Sequence, residues 1–299
     1  MALLPGALLG PYEIQSAAGP GGTGEAYTAR DTRLERTVDI EVLPRHWVSQ
    51  PELRQKFEDD AKVVAGLQHP NIRTLHDIGR ERAQPGEGEA PEGGAEVDFL
   101  VLEHLAGETV ADRLGRASTA KRRHAFSVAE AMAIGIQIAD ALDKAHQKGL
   151  VHRGLKPASV FLTPGASKSD PPIAKLLDLG LVEPTLTASA VADAAVAGIA
   201  AGGVVMQSML PTQGQATAQS AVVATVDYLA PEQIEGRPVD ARTDVFAFGV
   251  LLYEMLTGKR AFEGKSRAVL MPAIMTAEPD PLLAAQPLAP PSLDHILKR

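Results

Sequence analysis

Hydrophobic and polar positions alternate with two periods along the chain, and the changes of period mark its elements. Tyr12-Glu13-Ile14 opens a strand, and the glycine-rich stretch from Ala18 to Tyr27 closes a hairpin before a return strand. Thr37 to Pro44 is strand-like again, with Asp39 and Glu41 two residues apart and so on one face. The period then becomes helical: Leu53, Phe57, Ala61, Val64 and Leu67 recur over 51–67 as the stripe of an amphipathic helix. Residues 80–96 are rich in Gly, Pro and Glu without apolar periodicity, which predicts a disordered loop between two strands. Phe99 to Leu105 is the next strand. Ser127-Val128-Ala129-Glu130 is a capping box opening a helix to about His146, with Ile134, Ile138, Leu142 and Ala145 as its buried stripe.

Composition narrows the function classes. The 299 residues are 45% hydrophobic and 22% charged, a globular balance long enough for a two-lobed domain. A net charge of −8 argues against a nucleic-acid partner held by a general positive field. Lys121, Arg122 and Arg123 are read as a solvated basic loop. With no cysteine there are no disulfides or thiolate metal sites, which fits a reducing cytoplasm. The first eleven residues are apolar but short and carry Pro5 and Gly6, so they read as a lead-in arm and not a signal peptide. The run from Ala194 to Leu210 is too short to span a bilayer and is broken by Gly198, Gly202 and Gly203, so no membrane segment is expected.

The densest motif is Val151-His152-Arg153-Gly154-Leu155-Lys156-Pro157-Ala158-Ser159-Val160-Phe161-Leu162. It resembles the catalytic loop of the eukaryotic-type Ser/Thr protein kinases, H-R-D-L-K-P-x-N before a short apolar strand. His152, Arg153, Leu155, Lys156 and Pro157 match. Gly154 stands where the family has the proton-accepting Asp, and Ser159 where it has the Asn that holds the second magnesium. Lys175-Leu176-Leu177-Asp178-Leu179-Gly180 resembles the metal-binding K-x-x-D-F-G, so Asp178 is the metal residue the resemblance retains.

Other motifs follow in the family's order. Gly19, Gly21 and Gly24 fit G-x-G-x-x-G, whose backbone N–H groups can cover phosphates, and Ala26 takes the following Val position. Taken alone that spacing is more often a plain hairpin. In the V-A-I-K strand, Asp39 replaces the Ala on the adenine face and Glu41 replaces the phosphate-holding Lys. Both carboxylates then point into a nucleotide cleft, or else toward solvent from an edge strand. On the C helix, register makes Asp60 the residue that should pair with that Lys. At about 4 Å and an effective dielectric near 20, Glu41 and Asp60 would repel by roughly 4 kcal/mol. They must sit apart, share a proton or trap a cation, and the helix is expected to lean outward. Leu102 takes the gatekeeper place, Glu103 to Leu105 supply the hinge backbone, and Phe161 completes the implied nucleotide set.

Residues 181–224 make a long activation segment, uncharged from Ala194 onward and read as mobile. In the family, Arg153 reads a phosphate on this segment. Ala224-Thr225-Val226-Asp227-Tyr228-Leu229-Ala230-Pro231-Glu232 resembles its closing G-T-x-x-Y-x-A-P-E, and Asp244 the large-lobe Asp that binds the catalytic-loop backbone. Thr225, Pro231, Glu232 and Asp244 are scaffold residues in this scheme. The Arg that would pair with Glu232 falls beyond Arg299, so Glu232 is expected to lack its partner, at a cost of about 3–5 kcal/mol if it is buried.

The resemblance thus implies an α+β, two-lobed protein-kinase fold. Its layout is an arm over 1–11, a small lobe over 12–105 with a disordered insert at 80–97, and a large lobe over 106–299 without its last helices. Among functions, it implies a pseudokinase: a binding or scaffolding domain for a protein partner, with negligible phosphotransfer. An unorthodox active kinase and a decayed copy of a true kinase are the alternatives. ATP and Mg are cofactors only if nucleotide binding survives.

Overall fold

The computed structural model describes residues 3–20, 25–43, 51–82, 96–120, 124–167, 170–181, 226–287 and 289–297. They divide into two units, one holding the described parts of Met1–Gln68 and Ile72–Leu105, the other those of His69–Asn71, Ala106–Met206 and Gln215–Arg299. In the first unit lie strands β1 (Leu8–Leu9), β2 (Tyr12–Pro20), β3 (Glu25–Asp31), β4 (Arg36–Val42), β5 (Leu75–Arg82) and β6 (Glu96–Glu103), with helix α1 (Pro51–Ala65) between β4 and β5. The strands form one antiparallel sheet in the order β1-β2-β3-β4-β6-β5.

Period-2 alternation sorts this sheet into two faces. Val38 and Ile40 of β4, fully buried, join Tyr12, Ile14, Tyr27, Ala29, Phe99 and Val101 in one core. Burying each large apolar side chain contributes about 1.5–3 kcal/mol. Phe99 meets Tyr12 edge-on at 6.0 Å. Gly79 admits that ring, because a Cβ there would lie 2.3 Å from Phe99 Cζ. The N-terminal residues are not a mere lead-in. Leu3, Ala7 and Leu9 belong to the same core, and the Gly6 N–H donates to the Ile14 carbonyl at 2.8 Å.

The stretch assigned to a disordered insert is narrower than composition suggested. Its two ends are strand, with Arg80 opposite Asp98, Glu81 opposite Val97 and Arg82 opposite Glu96. Arg80 and Glu96 form an ion pair across the ladder at 2.7 Å. Polar side chains hide this strand from a hydrophobicity reading because β5 is an edge strand whose outer residues are exposed. Residues 83–95 lie outside the described residues.

The second unit contains β7 (Glu108–Thr109), α2 (Val110–Thr119), α3 (Val128–His146), β8 (Val160–Thr163), β9 (Ile173–Leu176), α4 (Pro231–Ile234), α5 (Ala241–Thr257), α6 (Arg267–Thr276), α7 (Leu282–Ala285) and α8 (Pro291–Leu297). Strands β7, β8 and β9 make a small antiparallel sheet. Ser127 caps α3 by accepting from the Glu130 N–H at 3.2 Å, while the Glu130 carboxylate turns to Arg113 at 2.5 Å. Ile134, Ile138, Leu142 and Ala145 form its buried stripe, and Gly135 lets Leu252 and Phe248 of α5 approach. Helix α5 stops at Gly258, whose φ of 70° only glycine adopts cheaply. A second core gathers Val226, Tyr228, Leu229, Val250, Phe262, Leu270 and Ile274. Among the described residues no helix is long and apolar enough to cross a membrane.

Candidate functional site

The motif residues gather in two clusters, one in each unit. In the first unit, the sheet face opposite the apolar core carries Asp39 and Glu41, because Val38 and Ile40 have taken the core side. The pairing partners of Asp39 and Glu41, namely Thr28 and Ala26 on β3 and Leu102 and Leu100 on β6, share that face. Glu41 is only 3% exposed. A buried carboxylate needs a counter-charge and hydrogen bonds.

Arg73 supplies both. Its Nη2 donates to Asp39 Oδ2 at 2.5 Å, its Nη1 to Glu41 Oε1 at 3.2 Å, and its Nε to the Glu103 carbonyl at 2.9 Å. The guanidinium side chain is 10% exposed, so this is an interior network and not a surface pair. His104 Nδ1 lies 2.8 Å from the other oxygen of Asp39. The backbone joins in, since Glu103 N donates to the Thr74 carbonyl at 2.9 Å and Thr74 N to the Glu103 carboxylate at 3.1 Å. A planar fork with five donors serves two carboxylates and a carbonyl at once, in a fixed geometry that a lysine's single ammonium point does not offer.

This arrangement corrects one expectation. Asp39 and Glu41 do not lie on an edge strand, since β4 sits between β3 and β6, and both bind Arg73. Asp60 of α1 is half-buried. Arg73 itself was missed. The available signal was an arginine beside apolar Ile72 just before a strand, combined with two acids that needed a cation. Of the glycine-rich residues, Gly19 lies on β2 opposite Ala26, while Gly21 and Gly24 lie outside the described residues. Leu102 is buried and Leu105 half-buried.

In the second unit the loop 151–159 is held by its backbone. Asp244 of α5, 1% exposed, accepts from the His152 N–H and the Arg153 N–H, each at 2.8 Å, and lies 2.7 Å from His146 Nε2. Gln233 of α4 donates to the Arg153 carbonyl at 2.8 Å and accepts from the Ala230 N–H at 3.0 Å. Thus clamped, Arg153 keeps a φ of 65°, and Asp178 has one of 54°; each conformation costs a non-glycine residue about 1 kcal/mol or more. His152 is fully buried, and burial pushes its imidazole below the ordinary pKa of 6.5.

The chemical positions of this loop are spent differently. Ser159 Oγ accepts from the Lys156 N–H at 2.9 Å and donates its only proton to the Lys156 carbonyl at 2.8 Å, so the hydroxyl closes its own turn. Gly154 has no side chain. Burial lowers the Lys156 ammonium below its ordinary range, and the Asp178 carboxylate acts against that shift. Leu179 is buried at the Phe position, and Gly180 follows with a φ of 67°. Phe161 pairs with Thr109 and Lys175 in the small sheet.

Glu232 is only half-buried, so the cost set for a buried charge does not apply in full, and the Thr243 hydroxyl donates to its Oε1 at 2.5 Å. Pro231 is the first residue of α4. Thr225 and the activation segment from 182 to 225 lie outside the described residues.

Comparison with known proteins agrees with these motifs. The protein kinase domain model matches residues 12–286. The chain is 30% identical over 98% of its length to a probable serine/threonine-protein kinase PknB of Bifidobacterium longum, covering 37% of that protein. It is 31% identical over 97% of its length to the serine/threonine-protein kinase PknA of Mycobacterium tuberculosis, covering 56% of it. The chain therefore spans about half or less of these relatives. Among solved structures, the Mycobacterium tuberculosis PknI kinase domain superposes with a TM-score of 0.65 at 23% identity, over 100% of this chain and 90% of that one.

Proposed function

The chain belongs to the protein kinase family, among relatives named as bacterial Ser/Thr kinases, and from that premise we propose that it works as a pseudokinase. One observation carries the reading: the loop backbone around position 154 is held in place by Asp244 and Gln233, yet it presents no proton acceptor there. General-base assistance and charge stabilisation are most of what a phosphotransferase contributes. Here the base position is Gly154, and the second-metal position is a serine whose proton is held within its own turn.

Mg-ATP fits these residues poorly. Asp178 would be its one retained metal ligand, and Glu41 stands where a lysine would hold phosphates. No step of phosphoryl transfer is assigned to the chain. The role that remains is recognition: a kinase-fold surface offered to a protein partner, in the cytoplasm. Retention of the buried Asp244 and Gln233 clamps supports such a role, because they serve the shape of the loop. The test is incubation of the purified chain with radiolabelled ATP, magnesium or manganese, and a generic basic protein substrate. No label is expected on the chain or the substrate. Label that disappears when Asp178 is changed to Asn would overturn the proposal.

A further inference from the structure

We infer that Arg73 acts as a resident ligand of the first unit, closing to nucleotide the sheet face that carries Asp39 and Glu41. The inference deepens the pseudokinase reading and rests on it, but it concerns binding and not turnover. Three facts carry it. The Glu103 carbonyl, part of the implied hinge backbone, accepts from Arg73 Nε at 2.9 Å. The Asp39 side chain, at the implied adenine wall, is bound on one oxygen by Arg73 and faces His104 with the other. Glu41, at the implied phosphate-holding place, is almost fully buried and bound to the same guanidinium.

A purine entering here must break a charged network whose members would be left buried and unpaired. Its anionic phosphates would then meet two carboxylates in place of a cation. Both effects oppose binding, and only the second could be offset by magnesium. The three side chains behave as one device: an arginine without the acids would be an unpaired buried cation, and the acids without the arginine would repel each other. Exclusion of nucleotide is therefore a property of the set Asp39, Glu41 and Arg73.

The experiment titrates Mg-ATP into the full chain and into the variant Arg73→Val, Asp39→Ala, Glu41→Lys, with binding read by calorimetry and by melting temperature. The native chain is expected to show no binding at millimolar nucleotide, and the triple variant to bind at least about tenfold tighter. Native binding that Arg73→Val leaves unchanged overturns the inference. So does a triple variant that folds, by circular dichroism, and still takes up no nucleotide. If the lysine variant does not fold, Arg73→Val, Asp39→Ala, Glu41→Val removes all three charges and is probed with adenosine, which needs no phosphate-holding lysine. Binding upholds the inference, and failure to bind refutes it. Either negative leaves the pseudokinase reading standing, because that reading falls only to measured phosphotransfer.

Discussion

Replacing Arg73 by methionine should destabilise the first unit more than any surface substitution could. Arg73 makes two ion-paired contacts and one to a carbonyl, and side chains of Asp39 and Glu41 are only 14% and 4% exposed. Methionine keeps most of the apolar stem, so the change isolates the charge. Removing one partner of a buried pair costs about 3–5 kcal/mol. The remaining carboxylates, two residues apart on one strand face, are roughly 6.5 Å apart and repel by about 2.5 kcal/mol at an effective dielectric near 20. The two figures overlap, so the expected loss stays near 3–5 kcal/mol, or about 15–25 °C in melting temperature for a unit of about 100 residues. The assay is thermal melting followed by circular dichroism at pH 8. Adding Asp39→Ala and Glu41→Leu to Arg73→Met should recover stability to within about 1 kcal/mol of the native chain, since an apolar set can replace a buried ionic one. A single variant within 0.5 kcal/mol of native, or a triple variant no better than the single, would refute the network as described.

Three further outcomes are expected. His152 has a folded-state pKa below its ordinary 6.5, from burial opposed by Asp244 and assisted by Lys156. As pH falls through 6.5 the unfolded chain takes up a proton that the folded chain refuses, so stability contributed above that pH is lost below it; His152→Asn should flatten this part of the stability–pH curve, and an unchanged slope would count against a neutral buried ring. Tyr228 donates its hydroxyl proton to Glu254, whose carboxyl burial holds above its ordinary range. Tyr228→Phe should therefore cost about 1–3 kcal/mol in urea unfolding, and Glu254→Leu added to it should recover part of that loss. Finally, the pair Glu41→Lys and Gly154→Asp should leave phosphotransfer undetectable while Asp39, Arg73 and Ser159 remain, because Arg73 would then face a lysine across the same small volume. Robust labelling by that pair alone would mean the sheet face is not the obstacle.

Local chemistry was legible in the sequence wherever neighbours along the chain decide it. The helical spacing from Ile134 to Ala145 appears as the buried stripe of α3, and the Ser127 cap accepts from Glu130 as its position implied. Loss of the acid at Gly154 needs no coordinates, since a residue without a side chain cannot accept a proton. The motif order from Tyr12 onward was enough to place the chain in its family, because each motif fills a fixed role in one topology. Edge strands were less legible: Arg80, Glu81 and Arg82 pair across a ladder although their composition resembles a loop, because exposed strand residues need not be apolar.

What the tertiary structure alone decided is the fate of the charges. Period-2 alternation placed Asp39 and Glu41 on one face of β4, but not what stands opposite them. The answer, Arg73, lies 34 and 32 residues away in the chain and reaches them only because β6 sits between β4 and β5 and brings the start of β5 close to the hinge. Likewise Glu232 finds Thr243 through the docking of α4 beside the start of α5, a contact that no local pattern contains. Sequence periodicity reports which face a side chain takes, because the backbone repeats. Whether a buried charge is a repulsion, a ligand site or half of a salt bridge depends on neighbours through space, and folding supplies those.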